Sequence, residues 1–146
     1  LDIEVNIVIG PYYENTKSIK TAVKKSRLTI NIFENISSIA SIILESDIAL
    51  TAGGFTTYEL AAMSTPSVGV ALWDNQNDNI ECLAKKSALI PIYYSDKDTF
   101  DQQLSKELLN LVSSNVLRES MSVKAREAVD GNGANRISLA MTKCYG

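Results

Sequence analysis

The residues best suited to chemistry lie in one stretch, Thr51-Ala52-Gly53-Gly54-Phe55-Thr56-Thr57-Tyr58-Glu59. Two glycines between a strand pattern and a helix pattern let backbone N–H groups come close to a ligand. The start of the helix that follows presents unpaired N–H groups and a positive end, which suits a phosphate or diphosphate. Thr56 and Thr57 could add hydroxyl donors. No GxxxxGK[ST] loop and no GxGxxG fingerprint is present, so neither a P-loop nor a dinucleotide motif is available. A tight strand–helix turn needing glycine for its backbone angles explains the same residues. Glu59 is likewise double-edged. Thr56-x-x-Glu59 has the spacing of a capping box, in which the carboxylate returns to the N-cap amide. Alternatively the carboxylate accepts two hydrogen bonds from a ribose diol, as acidic residues do in nucleotide sites. Spacing alone favours the cap.

A second polar stretch is Trp73-Asp74-Asn75-Gln76-Asn77-Asp78-Asn79. One Asp or Asn suffices to cap a helix, so the run exceeds what capping requires. Amides carry both donors and acceptors and match sugar hydroxyls and acetamido groups; a solvated loop with an N-cap is the plainer reading. Tyr12, Tyr13, Tyr93 and Tyr94 sit at the ends of strand patterns and could stack on a base or sugar, although edge packing accounts for them. Lys24-Lys25 and Lys85-Lys86 read as solvated helix faces, and Arg126 and Arg136 as surface or packing residues.

The elements that must position these residues alternate along the chain. Strand patterns cover residues 3–9, 28–33, 47–51, 67–72 and 89–93. Helix patterns cover 15–26, 37–45, 57–63 and 77–86, followed by three helical pieces over 98–112, 115–129 and 134–143. Gly10-Pro11, Gly53-Gly54, Pro66 and the Asp130-Gly131-Asn132-Gly133 cluster punctuate them. Five short strands alternating with helices imply parallel βαβ units. Their nearly continuous apolar content fits strands covered on both faces. The expected architecture is α/β, a Rossmann-like doubly wound parallel sheet of about five strands with a helical C-terminal tail, forming a single domain over residues 1–146. Ligands of such sheets bind beyond the carboxyl ends of the strands, where both polar stretches fall.

Composition narrows the function. The 146 residues are 45% hydrophobic with a net charge of −3, so disorder is excluded, and a core needs no disulfide or metal at this length. No run of about 18 apolar residues lacks charges, which argues against a membrane span. A sequence pI of about 5.0 argues against a sequence-independent nucleic-acid binder. The chain contains no histidine, which removes His-dependent triads, His metal sites and a His general base. Cys82 and Cys144 form no CxxC pattern and read as reduced thiols of a cytoplasmic protein. No signal-peptide pattern opens the chain. A strand pattern begins almost at Leu1, as in a piece of a longer protein.

In order, Ser46-Asp47-Ile48-Ala49-Leu50-Thr51-Ala52-Gly53-Gly54-Phe55-Thr56-Thr57-Tyr58-Glu59-Leu60-Ala61-Ala62, Thr65-Pro66, Asp74-Asn75-Gln76 and Asn79 resemble the donor-binding half of GT-B enzymes. Within that group the chain looks most like the PseG-type UDP-sugar hydrolases of pseudaminic acid biosynthesis, which are related to MurG-type N-acetylglucosaminyltransferases. The tail, Val129-Asp130-Gly131-Asn132-Gly133-Ala134-Asn135-Arg136-Ile137, resembles a D-G-x-G-x-x-R-I segment of the hydrolases. The resemblance covers nearly the whole chain.

It implies that amides of Gly53, Gly54, Phe55 and Thr56, with the Thr56 and Thr57 hydroxyls, hold the diphosphate. Glu59 then binds the ribose, the backbone near Ile32 and Phe33 reads the uracil edge, and Asn75, Gln76 and Asn79 contact the sugar or its diphosphate. Phe55 departs from the pattern, which commonly has a small residue there, and either crowds the loop or packs away from it. Asp74 stands where Glu is common. The resemblance matches only the C-terminal domain of a two-domain cleft and places a catalytic His in a missing N-terminal domain. No catalytic residue is therefore expected in this chain, which alone would be inactive. In the intact protein, water would attack the anomeric carbon as UDP departs, and the loop amides would stabilise the leaving diphosphate. No metal or other cofactor is expected. Two alternatives stay open. One is the donor domain of a UDP-sugar-dependent glycosyltransferase. The other is a non-catalytic module that pairs with a separate catalytic chain, favoured by an exposed apolar surface at Ile137, Leu139, Ala140 and Met141. A phospho-receiver domain shares the topology but needs an acidic cluster after the first strand, which is missing.

Overall fold

Alternating β-branched residues near the N-terminus build strand β1 (Glu4–Ile9), and a polar stretch with scattered apolar positions builds helix α1 (Thr16–Lys25). Strand β2 (Thr29–Glu34) then pairs parallel to β1 in the register Glu4↔Thr29 through Ile9↔Glu34. Parallel neighbours need a crossover connection, and α1 supplies it. Asn6 lies opposite Asn31, whose Nδ2 donates to Asn6 Oδ1 at 2.9 Å and to the Glu4 carboxylate. The described residues in this computed structural model are 2–145. They fall into two compact units, divided between Ile42 and Ile43, within the short helix α2 (Ala40–Leu44).

The second unit holds three parallel strands, β3 (Ala49–Ala52), β4 (Ser67–Ala71) and β5 (Ile90–Tyr93), in the order β3-β4-β5. Between them run α3 (Thr56–Ala62) and α4 (Asn77–Ala84), the latter preceded by a single 3-10 turn over Asp74–Gln76. Two longer helices follow, α5 (Lys97–Ser113) and α6 (Asn115–Ala128). Within each unit the neighbouring strands are parallel, and the described residues form two sheets, one in each unit.

Central strand β4 is buried at all five positions, as a strand covered on both faces must be. Val68 and Val70 pack with Ile92, Leu111 and Met121, under α5 and α6. Ala71 belongs to the other cluster, with Ala61, Ile80, Leu83, Leu89 and Ala125. Gly69 permits that second layer to sit close. A Cβ there would lie 2.5 Å from Ile80 Cδ1 and 2.6 Å from Leu89 Cδ1.

Helix ends account for the small boundary differences from the sequence pattern. Helix α4 stops at Ala84 because Ser87 takes a positive φ of 56° and Ala88 N–H returns to the Leu83 carbonyl at 3.0 Å. Ser64 does the same after α3, with φ 63° and Thr65 N–H on the Leu60 carbonyl. At the α5–α6 corner, Ser114 caps α6 and the Arg118 guanidinium donates to the Leu111 and Val112 carbonyls. Arg126 donates to the Ala62 carbonyl at 2.6 Å, so it closes the C-terminus of α3 rather than facing solvent idly.

The last helix, α7 (Gly133–Tyr145), is exposed at every residue from 133 to 144. Ahead of it, the Asp130 carboxylate accepts from Asn132 N–H at 2.9 Å and from Arg136 Nη1 at 2.7 Å, around Gly131 at φ 77°. The tail motif is therefore a local staple between α6 and α7. The Arg136 hydrogen bond, aided by the Asn132 amide, holds the Asp130 carboxyl down to about 2 from its ordinary 3.8. Because the folded value is depressed, the pairing is complete above 3.8 and is lost as pH falls through about 2. A carboxyl-detected NMR titration is expected to give a midpoint near 2, moving back toward 3.8 in Arg136→Ala. An unshifted wild-type midpoint would show that the staple is not closed in solution.

Candidate functional site

The loop after β3 is tied down from three directions. Gly53 N–H extends the ladder to the Val70 carbonyl at 2.9 Å, and Gly54 N–H folds back on the Ala52 carbonyl at 2.8 Å. Asn79, reaching over from α4, donates to the Gly53 carbonyl at 3.0 Å and accepts from the Tyr58 hydroxyl at 3.0 Å. Gln76 packs on the same loop: a Cβ on Gly53 would lie 2.8 Å from both Gln76 Cβ and Ile80 Cγ1. Glycine at 53 thus meets a steric demand, with φ outside the left-handed region.

Donors expected to converge on a diphosphate accordingly fall into two groups. The Gly53 and Gly54 amides are engaged within the chain. Thr57 is buried, and its hydroxyl donates to the Gly54 carbonyl at 2.7 Å, so it positions the loop from beneath. Thr57 N–H bonds the Gly54 carbonyl, and the Tyr58 and Glu59 amides both bond the Phe55 carbonyl. That leaves Phe55 N–H and Thr56 N–H, which have no acceptor among the described residues. Of the four amides expected to form a cradle, these two lack an internal acceptor among the described residues. Gly54 itself has open space where a side chain would stand.

The capping box does not form. Helix α3 begins at Thr56, its N-cap position is Phe55, and no side chain caps it. Thr56 is therefore one residue too late to be the cap, and the box spacing is lost. Glu59 is exposed and its carboxylate has no partner among the described residues. Phe55 is 85% exposed.

Beyond β4 the three expected sugar contacts separate. Asn75 is exposed on the 3-10 turn. Gln76 Oε1 accepts from Leu72 N–H at 3.0 Å, closing the turn. Both ends of the Asn79 amide, expected to contact the sugar, are engaged within the chain as described. Ile32 and Phe33 lie half-buried on β2 of the first unit, opposite Ile7 and Val8. The second unit thus gathers residues 53–59, Gln76 and Asn79 around one loop. Sequence patterns did not single out Tyr58 or Ile80, both of which build that loop. The clue for Ile80 was Gly69, a glycine inside a strand, which often marks a close approach.

Among the described residues, no group of three His, Cys, Asp or Glu side chains gathers as a metal site. No described helix is long and apolar enough to cross a membrane.

Comparison with known proteins agrees with this fold. The sequence model described as the glycosyltransferase family 28 C-terminal domain matches residues 2–137. Spore coat polysaccharide biosynthesis protein SpsG of Bacillus subtilis (strain 168) is 22% identical over 144 residues, 99% of this chain and 42% of that protein. An uncharacterised protein of Methanocaldococcus jannaschii is 23% identical over 124 residues, 77% of this chain and 25% of that one. The crystal structure of Acinetobacter baumannii MurG superimposes with a TM-score of 0.76 at 22% identity, over 98% of this chain and 42% of that one. The chain spans less than half the length of each of these relatives. With the family match running over nearly every residue of an α/β chain of parallel strands, the chain belongs to the glycosyltransferase family 28 C-terminal domain family.

Proposed function

We propose that the chain is the UDP-sugar-binding half of a two-domain GT-B enzyme. The observation that carries this reading is the pair of unengaged amides, Phe55 N–H and Thr56 N–H, beside the unpartnered Glu59 carboxylate. In this reading the two amides and the Thr56 hydroxyl hold the diphosphate, and Glu59 accepts from the ribose diol. Asn75 with the free end of Gln76 touches the sugar. Family membership and the likeness to MurG support a nucleotide-sugar ligand. The diphosphate charge is met by these donors with no metal or other cofactor.

For the complete protein we propose a UDP-sugar hydrolase of the PseG type, working in pseudaminic acid biosynthesis in the cytoplasm. The catalytic groups then lie in the partner domain. The tail sequence from Val129 to Ile137 supports the hydrolase side, and the family description favours a glycosyltransferase as the second reading. Release of UDP from a UDP-sugar by the complete protein, without any acceptor, separates the two. A third reading, a module docking on another chain, is favoured by exposed Ile137, Leu139 and Met141 on α7.

UDP titrated into this chain, followed by amide chemical shifts, tests the site. Binding near millimolar, about −4 kcal/mol, is the scale expected of half a cleft. Shifts are expected at residues 53–59 and 74–79, unchanged by EDTA and reduced at least tenfold in apparent affinity by Glu59→Ala. An absence of shifts at several millimolar UDP in the folded chain would remove the donor-site reading.

A further inference from the structure

Three successive peptide planes run through the loop after β3, and each is set by a hydrogen bond on its carbonyl. These peptides are trans, and a planar trans peptide points its carbonyl and its N–H in opposite directions. The Gly54 carbonyl is held by Thr57 N–H at 3.2 Å and by the Thr57 hydroxyl at 2.7 Å. Phe55 N–H, on the same peptide, is therefore turned the other way. The Phe55 carbonyl is held by Tyr58 N–H at 2.9 Å and Glu59 N–H at 3.3 Å, which turns Thr56 N–H likewise. The Gly53 carbonyl differs, because its donor is the Asn79 Nδ2 at 3.0 Å, a side chain brought in from α4. A carbonyl only accepts, so the nitrogen of that amide must face it and the amide oxygen must face elsewhere. That oxygen accepts from the Tyr58 hydroxyl at 3.0 Å, and the Tyr58 ring packs on the core cluster that includes Ala61, Ile80 and Leu89. Tyr58 thus grips both ends of the loop, Phe55 through its own N–H and Gly53 through Asn79.

We propose that Tyr58 is a positioning residue for the diphosphate donors: its hydroxyl, acting through the Asn79 amide, fixes the Gly53–Gly54 peptide and with it the direction of the Phe55 and Thr56 amides. This rests on the donor-site reading above. Donors already held in place spare a ligand the cost of ordering them. Without the hydroxyl the Asn79 amide loses the partner that sets its orientation, and the Gly53 carbonyl loses a firmly held donor. The ring keeps its place against the core, so the loss falls on ligand binding and not on the fold.

Tyr58→Phe keeps that ring and removes one oxygen. UDP is titrated into the wild-type chain, Tyr58→Phe, Asn79→Leu, the double variant and Met121→Ala, reading the Phe55 and Thr56 amide shifts, with a thermal melt of each. Met121 belongs to the other core cluster, so Met121→Ala lowers the melting temperature without reaching the loop. UDP affinity is expected to fall about fivefold in Tyr58→Phe, the scale of one net hydrogen bond, and by a similar factor in Asn79→Leu. The double variant should lose no more than the worse single one, because both changes break one chain of contacts. Met121→Ala should bind UDP as the wild type does. The Asn79 side-chain amide protons should exchange slowly in the wild type and fast in Tyr58→Phe. Normal UDP affinity in Tyr58→Phe, or a loss in Met121→Ala that tracks its stability, would overturn the role of Tyr58 while the donor site stands. Should Tyr58→Phe not fold, the comparison of Asn79→Leu with Met121→Ala decides in the same way. If UDP moves no amide in the folded wild type, the donor-site reading itself fails and the role of Tyr58 with it.

Discussion

Gly54→Ala is expected to fold as the wild type does and to lose at least tenfold in UDP affinity. An added Cβ at 54 meets nothing within 4 Å, and φ lies outside the left-handed region, so the chain's own packing does not ask for glycine there. Alanine should even gain slightly, because it narrows the unfolded ensemble, by about 0.4–1 kcal/mol where the backbone is compatible. The neighbouring Phe55 and Thr56 amides, however, can serve a diphosphate only if its oxygens come within about 3 Å, and a methyl group beside them obstructs that approach. Gly53→Ala makes the opposite prediction. Its Cβ would lie 2.8 Å from Gln76 Cβ and Ile80 Cγ1, an overpacking that costs about 1–3 kcal/mol. Thermal melts and calorimetric UDP titrations of the two variants check this. A Gly54→Ala chain that binds UDP normally would show that the open space beside the loop is not where the diphosphate sits.

The largest loss of stability is expected from Ile80→Ala. Ile80 is fully buried and stands at the junction of the core and the loop. Its Cγ1 backs Gly53, and its Cδ1 fills the space above Gly69. Truncation removes buried methylene and methyl groups and leaves a cavity between α4 and the sheet, at a cost of about 2–5 kcal/mol. That is a large share of the stability of an ordinary domain. UDP affinity should fall as well, since the Gly53 loop loses its support. Chemical denaturation of the variant measures the loss. A change below about 1 kcal/mol would show that α4 collapses onto β4 and fills the void.

Much of the fold was legible in the chain. Among the described residues, five strands and seven helices appear where residue periodicity places them, because period and punctuation are local properties. Val68 and Val70 read as a buried strand and are one. The motif from Thr51 to Glu59 was equally visible as a strand–glycine–helix junction. Its inner logic was not. The capping-box spacing of Thr56 and Glu59 predicted a cap, yet the helix starts one residue earlier than that geometry needs. Asn79 was visible as one amide in a polar run, but its partners are Gly53, 26 residues away, and Tyr58, 21 away. The tail motif runs the other way: Asp130, Gly131 and Arg136 read as a family signature and are explained by a staple among themselves.

The amino-acid sequence alone determined that β and α elements alternate, that the two polar junctions follow the third and fourth strands, and that no histidine is present. The tertiary structure alone decided which groups at those junctions remain available to a ligand. Availability is what is left after every partner has been assigned. The Val70 carbonyl takes the Gly53 amide, the Ala52 carbonyl takes the Gly54 amide, and the Gly54 carbonyl takes the buried Thr57 hydroxyl. Several of those partners become neighbours only when β3, β4 and α4 pack together, so no local pattern could show that the Phe55 and Thr56 amides would be the two left over.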